Sequence, residues 1–392
     1  MNNVNINYST SGLGAPAAGE DFISGMIFYT NAYPSGFSST AQTADILSLS
    51  QAEGLGITAN TLVNVSAATN LDILHYHISE FFRANPTGEL WTMIQTSAST
   101  GSYAEVVQLN NASGGKIRQI GIWEAITFAS SNLAAIQTQV TSTITNNKPL
   151  EVIYTANFSA VTDLTTLTDL STLNAPNVSV AFGQDGANLG AALYTKLSKT
   201  IGCVGLALGA VSSALVSESI AWVQNFNMSN VEMDTLAFGN GSLYTAASDN
   251  LVSQIDIKQY LFLRKFVGIS GSYFNNDYTA ISVTSDYSSI KRNRTIHKAA
   301  REVRARLLPS VAAPIFFNAD GTISAYSIGF FESEANTALA AMVSASEISQ
   351  YKTIINPKQN VQSTKILNLT VQIVPVGSAD VIDVNLGFVL SV

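Results

Sequence analysis

Both ends of this 392-residue chain read as β-strands set apart from the remainder by flexible connectors, and that pattern restricts the folds open to it. Over residues 3–8, Val4, Ile6 and Tyr8 alternate with Asn3, Asn5 and Asn7, the period of a half-buried strand. Residues 9–19 then run Ser-Thr-Ser-Gly-Leu-Gly-Ala-Pro-Ala-Ala-Gly, a connector composition. The other end mirrors this arrangement. Residues 357–365 are polar, after which Leu367, Leu369, Val371 and Ile373 alternate with Asn368, Thr370 and Gln372. Beyond a turn at 375–380, Val384, Leu386, Phe388, Leu390 and Val392 alternate with Asp383, Asn385, Gly387, Val389 and Ser391.

A terminal strand of this kind is a poor free edge. Natural edges are blunted with Lys, Pro or bulges because unpaired backbone groups recruit other strands, yet no Lys or Arg follows Lys365. Each large apolar side chain on such a face contributes about 1.5–3 kcal/mol when fully buried, and each ladder hydrogen bond adds about 0.5–1.5 kcal/mol. Either the terminal strands complete the chain's own sheet, or they are donated to another copy. The connectors at 9–19 and 357–365 favour donation, and one-way donation is a heterologous contact that builds rings or helical tubes.

Composition points the same way. Hydrophobic residues make up 46% and charged residues only 12%, about half of what a soluble domain carries, so much of the outside is expected to be covered. A membrane is not expected to supply the cover. The longest apolar run, residues 203–216, contains Ser212 and Ser213 and is too short to span a bilayer; a buried helix or strand-helix unit fits it better. Residues 1–5 read as neither basic nor apolar, so no signal segment is expected. The net charge of −8 disfavours nucleic acid as a partner.

Between the ends, strand-like and helical runs alternate. Residues 22–29, 90–95, 117–124, 150–157 and 177–182 read as strands; 73–83, 131–143 and 188–198 read as helices. Such alternation predicts a mixed α/β, layered, multi-domain architecture. From about 250 the texture changes. Residues 257–264 suggest a strand, and 290–308 form the clearest helix, with Ile296, Ala299, Ala300, Val303 and Leu307 on the expected core face and Pro309 closing it. Residues 315–317 and 323–328 flank Asn318-Ala319-Asp320-Gly321, a hairpin signal, and a second helix is expected over 333–343. The expected division is an arm and linker at 1–19, an outer α/β domain at 20–250, a further domain at 251–356, and a linker with arm strands at 357–392.

Several stretches in the last third resemble the contractile tail sheath proteins of bacteriophages and related injection machines. Arg294-Thr295-Ile296-His297-Lys298-Ala299-Ala300-Arg301, followed by Leu307-Leu308-Pro309, is similar to the helix that opens the common sheath domain. Ala319-Asp320-Gly321-Thr322 matches its hairpin turn. Glu347-Ile348-Ser349, then Ile354-Ile355-Asn356-Pro357-Lys358-Gln359-Asn360-Val361, then Val371-Gln372-Ile373-Val374-Pro375-Val376-Gly377 follow in the family's order. Tyr260-Leu261-Phe262-Leu263-Arg264-Lys265 and Gly271-Ser272-Tyr273-Phe274-Asn275 are further similar stretches. The likeness covers 250–392 well and 1–250 loosely.

The resemblance implies a structural subunit without enzymatic activity or cofactor. It would polymerise as a helical tube around an inner tail tube and contract to drive that tube through a target envelope. Its partners would be other copies of itself, the inner tube protein, and baseplate and tail terminator proteins. Its place would be the virion, after assembly in the host cytoplasm. The arm residues Val4, Ile6, Tyr8, Leu367, Leu369, Val371, Ile373, Val384, Leu386, Phe388 and Leu390 would add strands to neighbouring subunits. Within a run of basic residues on the 290–308 helix, Arg294, Lys298, Arg301 and Arg304 offer either a solvated face or, under the resemblance, an intersubunit contact with acids such as Glu332, Glu334, Glu347, Asp380 or Asp383. Glu334, Asn336 and Thr337 are the candidate inner-tube contact.

Enzymatic readings find little support. His75 and His77 are two apart on a helical stretch and face different ways, a poor metal pair, and His297 is the third and last histidine. Gly268-Ile269-Ser270-Gly271-Ser272 fails the Gly-x-Ser-x-Gly elbow pattern, and the single Cys203 sits among apolar residues as an inert thiol. Another viral shell or tube protein is the alternative to a sheath, with a soluble α/β hydrolase further behind.

Overall fold

The structure, a computed structural model, describes residues 20–58, 69–96, 99–229 and 232–384. The chain divides into two compact units, residues 1–305 and 306–392.

The first unit is built on β1 (Ile23–Tyr29), β2 (Thr43–Ile46), β3 (Glu89–Gln95), β4 (Gln119–Thr127), β5 (Glu151–Asn157) and β6 (Val178–Val180), with α1 (Leu49–Gly54), α2 (Asn70–Ala84), α3 (Glu105–Ala112) and α4 (Ser130–Thr145) between them. The strands form one six-stranded sheet in the order β2-β3-β1-β4-β5-β6. All pairs are parallel except the edge pair β2–β3. Parallel strands need long crossovers, and the helices supplying them cover both faces. Hence all seven residues of β1 are buried. Met26 and Phe28 pack with Ile73, Ile78 and Phe81 of α2. Ile23 and Ile27 point the other way, toward Val106 and Leu109 of α3 and Leu133 and Ile136 of α4.

The chain continues through β7 (Gly183–Asp185), α5 (Leu189–Leu197), α6 (Val204–Ser213), β8 (Leu236–Phe238), α7 (Asp249–Ile257), β9 (Leu263–Phe266), β10 (Ile269–Phe274) and α8 (Ile290–Leu307). The apolar run at 203–216 is the buried helix α6, in which every residue except Ser213 is enclosed. It lies against the backbone of α2, where a Cβ added at Gly205 would stand 2.2 Å from the His77 carbonyl oxygen and one at Gly209 2.6 Å from that of Phe81. Only glycine permits this approach.

Two expectations change in this region. Residues 257–264 are not one strand: α7 runs to Ile257, and β9 begins at Leu263. Residues 251–305, assigned from sequence to a separate domain, pack into the α/β unit, because Ile255, Tyr260 and Phe262 join one face of its core and Leu263, Phe274 and Ile290 the other.

Helix α8 has nearly the expected bounds but a different buried face. Ile296 is 36% exposed and Ala300 is exposed, while Lys291, Asn293, Arg294, Thr295 and His297 are buried. The helix supplies hydrogen-bond partners to carbonyls and carboxylates around the sheet. Arg294 Nη1 donates to the Ala214 and Leu215 carbonyls at 3.2 and 3.3 Å. His297 Nδ1 lies 3.1 Å from Glu151 Oε1, and Asn293 Nδ2 donates to Glu151 Oε2 at 3.2 Å. Buried polar groups require such partners, so polar residues share the buried side with Ala299, Val303 and Leu307 are half-buried, and only Ile296 and Ala300 of the expected core face lie outside it.

The second unit contains α9 (Ala325–Ser344), β11 (Ile348–Ile354), the short α10 (Val361–Thr364) and β12 (Thr370–Pro375). The turn at Asn318–Gly321 is present, closed by Asn318 N–H to the Thr322 carbonyl at 2.8 Å. The expected strand at 323–328 is not: Ser324 caps α9, accepting from Ser327 N–H at 3.3 Å, and the helix takes over from Ala325. Phe331, Ala335, Ala338, Leu339 and Met342 form its buried stripe.

Candidate assembly surfaces

β11 and β12 form an antiparallel pair, with Tyr351 opposite Ile373 and Thr353 opposite Val371. Among the described residues this sheet has two strands, so each strand keeps one unpaired edge. Alternation in the sequence identified the strand at Val371 and Ile373 but not its partner. These two residues sit half-buried in β12, paired with β11 of the same chain. Leu367 and Leu369 precede β12 and, with Val311, Ile315, Phe317 and Phe331, line an open groove of about 670 Å³ in the same unit.

Val384, the last described residue, is 70% exposed, and its neighbours Val381 and Ile382 are exposed as well. The arm residues Val4, Ile6, Tyr8, Leu386, Phe388 and Leu390 lie outside the described residues.

On α9, Thr337 is exposed and Glu334 and Asn336 are half-buried. Asn336 and Thr337 line a shallow depression with Gly329, Ser333, Ala340 and Tyr351. Glu332, which also lines it, accepts from Ile355 N–H at 3.1 Å.

The four basic residues grouped from sequence are not placed alike. Arg294 is 4% exposed. Lys298 Nζ and Arg301 Nη2 reach the two carboxylate oxygens of Asp21 at 2.6 and 2.5 Å. Burial raises the Asp21 pKa, but the hydrogen bond and charge of Lys298, with Arg301 and Arg294, more than offset this and hold it below the usual carboxylate value. Only Arg304 of the four is exposed. Asp21 gave no sequence signal as a partner because it lies in another part of the chain.

The residues weighed for chemistry are also in place. His75 Nε2 meets Glu53 Oε1 at 3.0 Å. His77 is fully buried, accepts from Gly205 N–H at 3.3 Å, and is held by burial to a pKa of about 3. Burial pushes the Cys203 thiol up to about 12. Glu124, which sequence reading passed over, is a buried carboxylate that accepts from Tyr103 Oη at 2.5 Å and from Tyr154 Oη. Among the described residues no three His, Cys, Asp or Glu side chains are placed to hold a metal, and no helix is long and apolar enough to cross a membrane.

No curated protein matches the sequence. Among solved structures, the chain is similar to the helical sheath of the anti-feeding prophage in its contracted state, with 13% identity, 98% of each chain covered and a TM-score of 0.65. It is similar to a chain of the same particle's six-fold baseplate, with 12% identity, 100% and 99% covered and a TM-score of 0.63. It is similar to the contracted PVC sheath complex of an extracellular contractile injection system, with 14% identity, 100% and 98% covered and a TM-score of 0.61. The fold is therefore that of the sheath proteins of contractile injection systems, over the whole length and not only the last third. Two family models match in tandem, the DUF2586 N-terminal domain over residues 1–278 and the DUF2586 C-terminal domain over 286–392. The chain belongs to the DUF2586 family.

Proposed function

We propose that this chain is the subunit of a contractile sheath, a structural protein that polymerises into a helical tube around an inner tube. The observation that carries the reading is the likeness to a contracted helical sheath subunit across 98% of both chains. A physical argument supports it. The two-stranded sheet has an open edge on each side, and the apolar terminal segments have few charges to keep them apart from it. In this reading residues 3–8 of one neighbour and 384–392 of another pair at those edges, through main-chain hydrogen bonds and alternate side chains. The connector at 9–19 lets subunits rotate as rigid bodies while its strand stays engaged; residues 357–365, read from sequence as a second connector, instead carry α10 and join the paired strands β11 and β12.

The role is structural and needs no catalytic group. Glu334, Asn336 and Thr337 on α9 face the inner tube, and the ends of the sheath meet baseplate and terminator proteins. The particle is a phage tail or a related injection apparatus, put together in the host cytoplasm. Arg304, exposed on α8, is the basic residue best placed for an intersubunit contact.

Negative-stain electron microscopy of the purified full chain tests the proposal. Helical tubes are expected, and chains lacking 1–10 or 381–392 should stay dispersed. A full chain that remains monomeric at concentrations where sheaths assemble would refute the reading.

A further inference from the structure

The beginning of the described chain is fastened more firmly than its position requires. Residues 20–22 form a single 3-10 turn between the connector and β1. The Asp21 carboxylate receives Lys298 on one oxygen and Arg301 on the other. The Asp21 carbonyl accepts from Arg294 Nη2 at 3.3 Å and Gln119 Nε2 at 3.2 Å. The next carbonyl, that of Phe22, accepts from Ser212 Oγ at 3.0 Å. Lys298, Asp21 and Arg301 side chains are each about four-fifths enclosed, where bulk salt screens charge poorly. Three of the five fastenings come from α8, and α8 is the helix that runs on across the boundary between the two compact units at residue 305.

We propose that Asp21 is the fixed point of the N-terminal connector: the residue at which tension arriving from a neighbouring copy is stopped and passed to α8 instead of peeling β1 out of the sheet. The inference rests on the proposed function, since only donated arms carry tension. It adds a residue-level role that neither sheath fold nor strand donation specifies. β1 is the central strand, paired on both sides; pulled from its N-terminal end, its ladder would open one bond at a time. A carboxylate gripped by two cations resists before the first ladder bond is loaded. It also assigns Lys298 and Arg301 an internal duty, leaving the exposed Arg304 outside the lock.

The test uses the full chain with three variants. Asp21→Asn removes the charge and keeps the carbonyl bonds. Lys298→Met with Arg301→Met breaks the same lock from the other side and retains the packed stems, so one route survives if the other fails to fold. Lys196→Met, at an exposed lysine near the end of α5, is the control. In unassembled protein, amide exchange at residues 20–24 should rise about tenfold or more in both lock variants with α4 and β4 unchanged. Tubes of both variants, sheared through a needle, should lose their long fraction, while wild type and Lys196→Met keep theirs. Unchanged exchange at 20–24, or lock-variant tubes as shear-resistant as wild type, would overturn the lock. Wild type that forms no tubes would overturn the sheath reading itself, a different result.

Discussion

Burial decides how single ionisable residues behave, and His77 and Asp21 both bear on the acid response. His77 is neutral in the fold, its pKa held near 3 against 6.5 in the unfolded chain. Between those values the unfolded state binds more protons, so stability falls as pH drops through that window. Asp21, with its pKa lowered, contributes stability that is present above its unfolded value and is lost only in stronger acid. Carboxyls whose pKa is raised by burial, Glu232 and Glu124, act in the opposite sense over this range, so His77 shows in a difference: from pH 7 to pH 4 urea unfolding of wild type should lose on the order of 3 kcal/mol more than that of His77→Gln. The same pH dependence in wild type and His77→Gln would contradict the buried neutral histidine. Glu124 is a separate case. Removing its carboxylate orphans the Tyr103 and Tyr154 hydroxyls that donate to it, so Glu124→Ala should cost about 2–4 kcal/mol in denaturant titrations, far more than truncating the exposed Arg304.

At the scale of elements, the sequence was legible wherever period and burial agree. β1, β3 and β5 begin within a residue of expectation, and α2 and α4 gain one to three residues at each end, where caps govern. It misled where a helix buries polar groups. On α8 the apolar residues Ile296 and Ala300 are exposed because Asn293, Arg294 and His297 have partners at Glu151 and at carbonyls far away in sequence, and no local pattern announces a distant carbonyl. Ile323–Ile328 reads as a strand because it follows the turn signal at Asn318–Gly321, whereas the structure makes Ser324 the N-cap of α9. The α2–α6 contact was invisible for a related reason, since a glycine pair in an apolar run has several meanings. Gly205→Ala should lower the thermal midpoint markedly, with overpacking of at least about 1–3 kcal/mol added to a backbone that cannot yield. Gly54→Ala, where nothing stands within 4 Å, should be neutral or slightly stabilising.

At the scale of the whole molecule, the terminal alternation that opened the sequence reading separates into two kinds of strand. One, at Thr370–Pro375, pairs at home and creates the open platform with Ile348–Ile354. The others lie outside the described residues, and their assignment to neighbouring copies is a proposal. Single-chain periodicity could not separate these cases, because pairing within a chain and between chains uses the same hydrogen bonds. The candidate inner-tube residues on α9 rest on the family resemblance and not on any local pattern, and Glu334→Lys with Thr337→Lys should reduce co-sedimentation with tube protein while self-assembled tubes persist. The most direct measurement is a cryo-EM map of assembled tubes at side-chain detail. The account predicts a four-stranded sheet in which β11 and β12 are flanked by residues 3–8 and 384–392 of two different neighbouring subunits. Bare edges, or terminal segments folded back onto their own subunit, would contradict it.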